Sequence, residues 1–117
     1  MTNQDIIFLP EKDYEAVIGN NKTMVIRPPA YRLNMSVHDW VVIVFDNLPD
    51  NNVLVEIQDI QYLRFKDITR EHAEAAGFNS IESLKRELVA HYTTLDNGSV
   101  LYAYKFEVMG ISQKVGE

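Results

Sequence analysis

Cysteine is absent from this chain of 117 residues. Its absence excludes disulfides, zinc ribbons and a thiol nucleophile, and it favours a reducing cytoplasm as the location. Long apolar runs are absent as well, because the longest, Trp40 to Phe45, is far shorter than the ~20 residues that cross a bilayer. The opening residues Met-Thr-Asn-Gln-Asp contain neither Lys nor Arg and no apolar run, so we expect no signal peptide.

Signatures of several enzyme classes are also missing. No Gly-x-Ser-x-Gly elbow of a serine hydrolase occurs, and the five glycines stand singly, so no glycine-rich phosphate loop is expected. The three histidines, His38, His72 and His91, lack the spacing of paired metal ligands. The sequence therefore predicts neither a metal site nor a cofactor.

Acidic residues are missing from one long segment of an otherwise acidic chain. The net charge of -6 counts against indiscriminate binding to long nucleic acid. Between Ala16 and His38, however, no Asp or Glu occurs, while Lys22, Arg27 and Arg32 all lie there. This local excess of positive charge marks the segment as the candidate site, since a small basic pocket can exist on an acidic protein.

The apolar pattern that is present predicts one α+β domain over residues 1–117, with a core of about 5–108. Alternating or continuous apolar runs indicate strands, while helical spacing with N-cap residues and C-terminal glycines indicates helices. The expected strands are 5–9, 23–27, 40–45, 53–65 and 100–109, and the expected helices are 11–18, 70–76 and 81–92. This order is typical of a curved, mostly antiparallel sheet or small, partly open β-barrel with two to three flanking helices.

The same patterns predict which side chains are buried. Strand 40–45 is expected to be central and buried on both faces, and to pair with residues 53–57 across a turn at 46–52. Because side chains alternate along a strand, Met24 and Ile26 are expected on one face of strand 23–27, and Val25 and Arg27 on the other. The tail 110–117 is expected to be disordered. Four aromatic residues are expected in the core: Trp40, Tyr102, Tyr104 and Phe106.

Three pieces of the sequence occur in a characteristic order. The first is a helix leading into Gly19 and then Lys22-Thr23-x-x-Ile26-Arg27, and the second is Asp39 before the apolar run Val41–Val44. The third is Ile68-Thr69-x-Glu71-His72-Ala73-x-x-x-Gly77-Phe78 with its following helix, and then Tyr102-x-Tyr104-x-Phe106-Glu107. Together they span residues 5–108 and resemble the ASCH domain, a family of the PUA-like superfamily of small β-barrels, whose signature is G-x-K-T-x-T-x-R.

The resemblance implies a basic cleft beside a PUA-like barrel that holds RNA or a nucleoside-type ligand. Lys22 and Arg27 match the lysine and arginine of the signature. In the loop after the prolines, Tyr31 and Arg32 are candidates for a stacking platform and a rim contact. Glu71 is a candidate acid–base group or partner for the lysine. The expected binding set is therefore Lys22, Thr23, Arg27, Tyr31, Arg32 and Glu71.

One branch of the ASCH domains implies an enzyme as the alternative function. It resembles this chain in size and in the Thr-x-x-His-Ala helix, and it hydrolyses the acetyl amide of acetylcytidine with a lysine, a threonine and a helix glutamate. Lys22 matches the lysine, but the threonine position holds Val25 and the glutamate position falls at about Ala76. Glu74 lies two residues earlier, about 200° away around a helix. The sequence thus favours binding, with amidohydrolysis through Lys22 and Glu74 as the alternative and a protein-interaction adaptor as a second alternative.

Without the resemblance, the chemistry of the candidate site residues also fits ordinary structural roles. Lys22 also suits a solvated strand start, and Arg27 also suits an ion pair with Asp39 or with a carboxylate on a neighbouring strand. Acids at positions 71 and 74 also suit a solvated helix start, where they favour the helix dipole. The sequence leaves the ligand, the oligomeric state and any protein partner open.

Overall fold

The structure, a computed structural model, describes residues 6–112. Its strands form one sheet in the order β1-β3-β4-β5-β2, in which β1 pairs with β3 in parallel and the other neighbours are antiparallel. The strands are β1 (Ile6–Leu9), β2 (Met24–Arg27), β3 (Trp40–Phe45), β4 (Leu48–Arg64) and β5 (Val100–Ser112). The helices are α1 (Tyr14–Ile18), α2 (Arg70–Ala75) and α3 (Ile81–His91), with short 3-10 turns at Glu11–Asp13, Pro29–Tyr31 and Phe65–Asp67.

The sheet curls so that its two edge strands approach each other. Nη2 of Arg27 on β2 donates a hydrogen bond to the carbonyl oxygen of Phe8 on β1, at 3.3 Å. At this point a side-chain hydrogen bond connects β1 and β2, which are the two edge strands of the sheet and are not paired with each other. The result is a half-barrel with an open seam between β1 and β2, which confirms the predicted α+β, partly open barrel.

The core has two parts, and β2 lies between them. Val25 packs in the first part with buried residues of β1, β3, β4 and α1. Met24 and Ile26 pack in the second part, under α2 and α3. The predicted alternation along this strand is therefore confirmed, and the strand anchors both halves of the fold.

The hairpin of β3 and β4 is tighter than predicted. Phe45 pairs with Leu48, and the two-residue turn between them includes Asn47 at φ 64°, a conformation that Asn tolerates well. Of the predicted turn 46–52, Asp46 and Asn47 form the turn, while residues 48–52 belong to β4. β5 runs to Ser112 and pairs with β4 there, so the predicted disorder of residues 110–112 is wrong. Residues 1–5 and 113–117 lie outside the described part of the chain.

The predicted burial of β3 on both faces is wrong. Val41 and Ile43 are buried, but Val42 and Val44 on the other face are only partly buried. Trp40 is 50% exposed, in contrast to its predicted place in the core. The reason is that α2 and α3 pack against the other end of the sheet, so no described helix covers this face.

The aromatic residues of β5 divide between core and surface. Tyr104 and Phe106 are buried, as predicted. Tyr102 is only partly buried, so its predicted core position is wrong. It lies near the end of the sheet, beside an exposed tyrosine of β4.

Helix α2 begins at the predicted residue and ends one residue earlier than predicted, at Ala75. The side chain of Thr69 accepts a hydrogen bond from the backbone N–H of His72, as an N-cap does. After Ala76, Gly77 takes φ 91°, the left-handed conformation common at helix C-termini. This turn brings the end of α2 against the start of β2, since Thr23 N–H donates to Ala75 O at 2.7 Å.

Substituting Gly77→Ala is expected to lower the free energy of unfolding by about 1–2 kcal/mol, the usual cost of a left-handed conformation for a residue with a Cβ. Urea unfolding followed by circular dichroism measures the effect. Gly110→Ala is the matched control, because a Cβ at Gly110 meets no atom within 4 Å and should change stability by less than about 0.5 kcal/mol. Equal effects of the two substitutions would contradict the strained turn at Gly77.

Candidate functional site

A cleft of about 490 Å³ lies at the open seam of the half-barrel. Its walls come from β1 and the turn that follows it, from α1, from β2, from the turn after α2, and from one face of α3. The volume is in the range of small-molecule sites. The cleft therefore forms where the curled sheet fails to close and the helices pack beside the gap.

Lys22 forms part of the cleft wall and is buried. Only 9% of the residue is exposed. Nζ donates a hydrogen bond to the carbonyl oxygen of Ala76 at 2.8 Å, and it lies 4.0 Å from a carboxylate oxygen of Asp13 and 5.8 Å from the ring centroid of Phe78. The interpretation of Lys22 as a solvated lysine is therefore wrong.

The surroundings of Lys22 give it a structural role. Burial lowers the pKa of its amine, and the nearby charge of Asp13 opposes that shift. Ala76 is the C-cap of α2, where the helix dipole favours a positive charge. Lys22 thus ties the end of α2 to the segment before α1 while forming the wall between them.

Arg27 lines the cleft and has spare hydrogen-bonding capacity. Its Nη2 bridges the seam to Phe8 O, but its buried Nε has no hydrogen-bond partner among the described residues. The predicted alternative, an ion pair with Asp39, is wrong, since the Asp39 carboxylate accepts a hydrogen bond from the backbone N–H of Ser36 at 2.8 Å. Arg27 is therefore a cation at the cleft wall that can still donate a hydrogen bond to a ligand.

Thr23, a predicted binding residue, contributes to the site through backbone hydrogen bonds. Its N–H donates to Ala75 O at 2.7 Å, and its carbonyl accepts from the N–H of Phe106 at 2.9 Å. Thr23 is not among the residues that line the cleft. The contribution of Thr23 is to position Lys22 next to the end of α2.

Tyr31 and Arg32 lie at the rim and not inside the cleft. Tyr31 is 58% exposed, and its ring centroid is 5.1 Å from that of Tyr92, which lines the cleft. Arg32 lies beside Tyr102, whose pKa is lowered first by hydrogen bonding with Tyr62 and then by hydrogen bonding with Arg32. The loop continues into Leu33, whose N–H donates to the hydroxyl of Tyr104 at 2.9 Å, so the rim is anchored to β5.

Glu71 and Glu74 do not reach the cleft. Glu74 pairs with Arg70 on the exposed side of α2, at 3.1 Å, and Glu71 is exposed. The predicted pairing of either acid with Lys22 is wrong, because α2 presents its C-terminal end to the lysine while these acids project from its outer surface. The carboxylate closest to the lysine comes instead from Asp13.

Several cleft residues were missed by sequence reasoning. Glu87 and His91 on α3 line the cleft, and His91 Nε2 lies 2.9 Å from a carboxylate oxygen of Glu87. Lys12 Nζ lies 3.7 Å from the same carboxylate. Hydrogen bonding to His91 lowers the pKa of Glu87. The available signal was the i, i+4 spacing of Glu87 and His91 beside the apolar stripe of the helix.

The cleft is thus mixed in charge and partly aromatic. Lysines 12 and 22 and Arg27 face the carboxylates of Asp13 and Glu87, and aromatic rings lie around them. Within residues 6–112, no three His, Asp or Glu side chains are arranged to hold a metal ion. The described helices are all too short or too polar to cross a membrane.

Comparison with known proteins identifies the fold. No family model and no curated protein matches the sequence. Among solved structures, a protein of Enterococcus faecalis from the family model DUF984 superposes with a TM-score of 0.75, at 12% identity over 95% of this chain and 79% of its own. An ASCH domain from Lactobacillus crispatus gives 0.65, at 12% identity over 87% and 79% of the two chains. ASCH from Zymomonas mobilis gives 0.66, at 12% identity over 92% and 71%.

Proposed function

On the premise that the chain has the fold of an ASCH domain, we propose that its cleft binds a nucleoside-type ligand, free or as part of an RNA chain, without acting on it chemically. The observation that supports this most is Arg27, whose buried Nε lacks a partner at the cleft wall. A buried donor left unpaired costs about 1–3 kcal/mol. A ligand acceptor in the cleft that Nε reaches through a small shift of the side chain recovers this free energy.

The other cleft residues support a nucleoside more than a highly charged ligand. The aromatic side chains of Phe8, Phe78 and Tyr92 line the cleft and suit the faces of a base. Arg27 offers donors and Glu87 offers acceptors, the two kinds of group that a base edge needs. Because Asp13 and Glu87 offset the lysines, the interior does not favour a group with several negative charges.

Calorimetric titration of the wild-type protein tests the proposal. The ligands are the four ribonucleosides, their 5′-monophosphates and a short oligoribonucleotide, and ribose 5-phosphate is the control without a base. We expect at least one base-containing ligand to bind while ribose 5-phosphate does not. Failure of every base-containing ligand to bind at millimolar concentration would contradict the proposed function.

Amidohydrolysis is a second candidate, supported by one observation. The amine of Lys22 is buried at the cleft with a lowered pKa, 4.0 Å from Asp13, and such an amine suits a base or nucleophile. Against it, Val25 offers no hydroxyl at the cleft wall and Glu74 lies outside. We expect incubation with acetylcytidine to yield no cytidine above a buffer control. Cytidine production that disappears in Lys22→Met would establish the enzyme instead.

A further inference from the structure

A row of side chains continues from the cleft across the sheet. Arg27 on β2 is paired in register with Tyr102 on β5, and Tyr102 is paired with Tyr62 on β4. Directly paired residues of neighbouring strands project from the same face of a sheet, so these three side chains lie side by side. The row begins at the cleft wall and ends two strand spacings away, about 10 Å, at Tyr62, which is 71% exposed.

The two tyrosines of the row are held in place before any ligand binds. Their hydroxyl oxygens are 2.8 Å apart, and their ring centroids are 4.7 Å apart with planes tilted by 49°. Tyr102 is in turn stacked near the buried Tyr104, at 6.3 Å and 23°. An exposed ring that is already ordered loses little conformational entropy when another ring stacks on it.

Positive charge accompanies this aromatic row. The pKa of Tyr102 is lowered first by its hydrogen bond with Tyr62 and then by its hydrogen bond with Arg32, which lies beside it. The residue before it, Tyr31, packs against Tyr92 of the cleft. The short segment 31–32 therefore connects the cleft rim with the tyrosine row, and it belongs to the part of the chain without acids.

We propose that the ligand of the cleft is the end or an internal unit of a single-stranded RNA, whose neighbouring nucleotides pass Arg32 and stack on the rings of Tyr62 and Tyr102. This inference rests on the proposed function and specifies its ligand class. Exposed aromatic rings next to arginine are the way in which proteins hold unpaired bases and the phosphates between them. Stacked nucleotides advance about 3.4 Å each, so the row accommodates roughly three beyond the cleft. A free nucleoside would leave this row unused.

Fluorescence anisotropy with the four labelled homo-hexaribonucleotides tests the inference, beside competition by the matching nucleoside monophosphates. We expect the preferred hexanucleotide to bind at least tenfold more tightly than its monophosphate, because stacking on exposed rings adds to the contacts in the cleft. Tyr62→Ala should remove about tenfold of hexanucleotide affinity and leave monophosphate affinity unchanged. Tyr62→Phe, which keeps the ring, should stay close to wild type.

Two further variants complete the test. Met109→Ala removes a side chain with 45% exposure at the far end of β5 and should change neither affinity. Arg32→Ala should weaken hexanucleotide binding and reduce its salt dependence. If monophosphates bind but the hexanucleotides bind no more tightly, or Tyr62→Ala has no effect, the row does not hold RNA and the inference is overturned while the proposed function stands. If neither class of ligand binds, both are overturned.

Discussion

Truncating Lys22 to alanine is expected to lower the free energy of unfolding by about 3 kcal/mol. The substitution removes a charge-assisted hydrogen bond to the carbonyl of Ala76, and such bonds contribute about 1.5–3 kcal/mol. It also deletes the three stem carbons beyond Cβ from a site where only 9% of the residue is exposed, which leaves a cavity. Urea unfolding at neutral pH measures the difference.

Two control variants separate the buried contacts from the charge alone. Lys12→Ala removes a lysine whose side chain is 67% exposed and 3.7 Å from Glu87, and exposed ion pairs of this kind contribute at most about 1 kcal/mol. Lys22→Met keeps most of the stem without the charge, so its loss should be intermediate. A loss below about 1 kcal/mol for Lys22→Ala, similar to that of Lys12→Ala, would contradict the structural role of Lys22.

Arg27→Ala is expected to weaken binding of the nucleoside-type ligand about 30-fold. The guanidinium lines the cleft and its Nε has no partner among the described residues, so a ligand acceptor gains a charge-assisted hydrogen bond of about 2 kcal/mol. That free energy corresponds to about 30-fold in dissociation constant. Calorimetric titration of the preferred nucleotide against both proteins measures the change.

The shape of the guanidinium should matter as much as its charge. Arg27→Lys keeps a positive charge but loses the planar fork, so most of the affinity should still be lost. Arg70→Ala is the matched control, because Arg70 pairs with Glu74 on the outer surface of α2 and should leave the affinity unchanged. Equal affinity of wild type and Arg27→Ala would show that the ligand does not use this side of the cleft.

The order of helices and strands could be predicted from sequence because its determinants are local. Thr69 and Ser80 directly precede the predicted helices 70–76 and 81–92, and they cap α2 and α3, while Gly77 follows the end of α2. Alternation in β2 also gave the correct division of its side chains between the two parts of the core. Each of these features depends on a few neighbouring residues.

The candidate site was only partly predictable because its contacts are distant in sequence. Lys22 is buried by Ala76, 54 positions away, and no local pattern indicates that partner. The predicted pairing of Glu71 or Glu74 with Lys22 was wrong for the same reason. The sequence does not indicate that the C-terminal end of α2, and not its side, lies against the lysine. Glu87 faces the cleft only because α3 packs beside the seam.

The burial of the strands was mispredicted where it depended on the packing of other elements. An apolar run such as Trp40 to Phe45 is compatible with burial on one face or on two. The outcome depends on where α2 and α3 lie, and they cover the opposite end of the sheet. Similarly, polar residues 50–52 have the local composition of a turn, but they lie within β4, where Asn52 pairs with Ser112 of β5.

An amide chemical-shift titration locates the bound nucleotide and so tests whether the seam between β1 and β2 is a binding site. The ¹⁵N-labelled protein is titrated with the nucleotide that binds most tightly in calorimetry. We expect saturable shifts at Arg27, Gly77, His91 and Tyr92, which surround the cleft, and little change at Trp40 on the uncovered face. Shifts that saturate elsewhere on the sheet while these four amides stay unchanged would contradict this expectation.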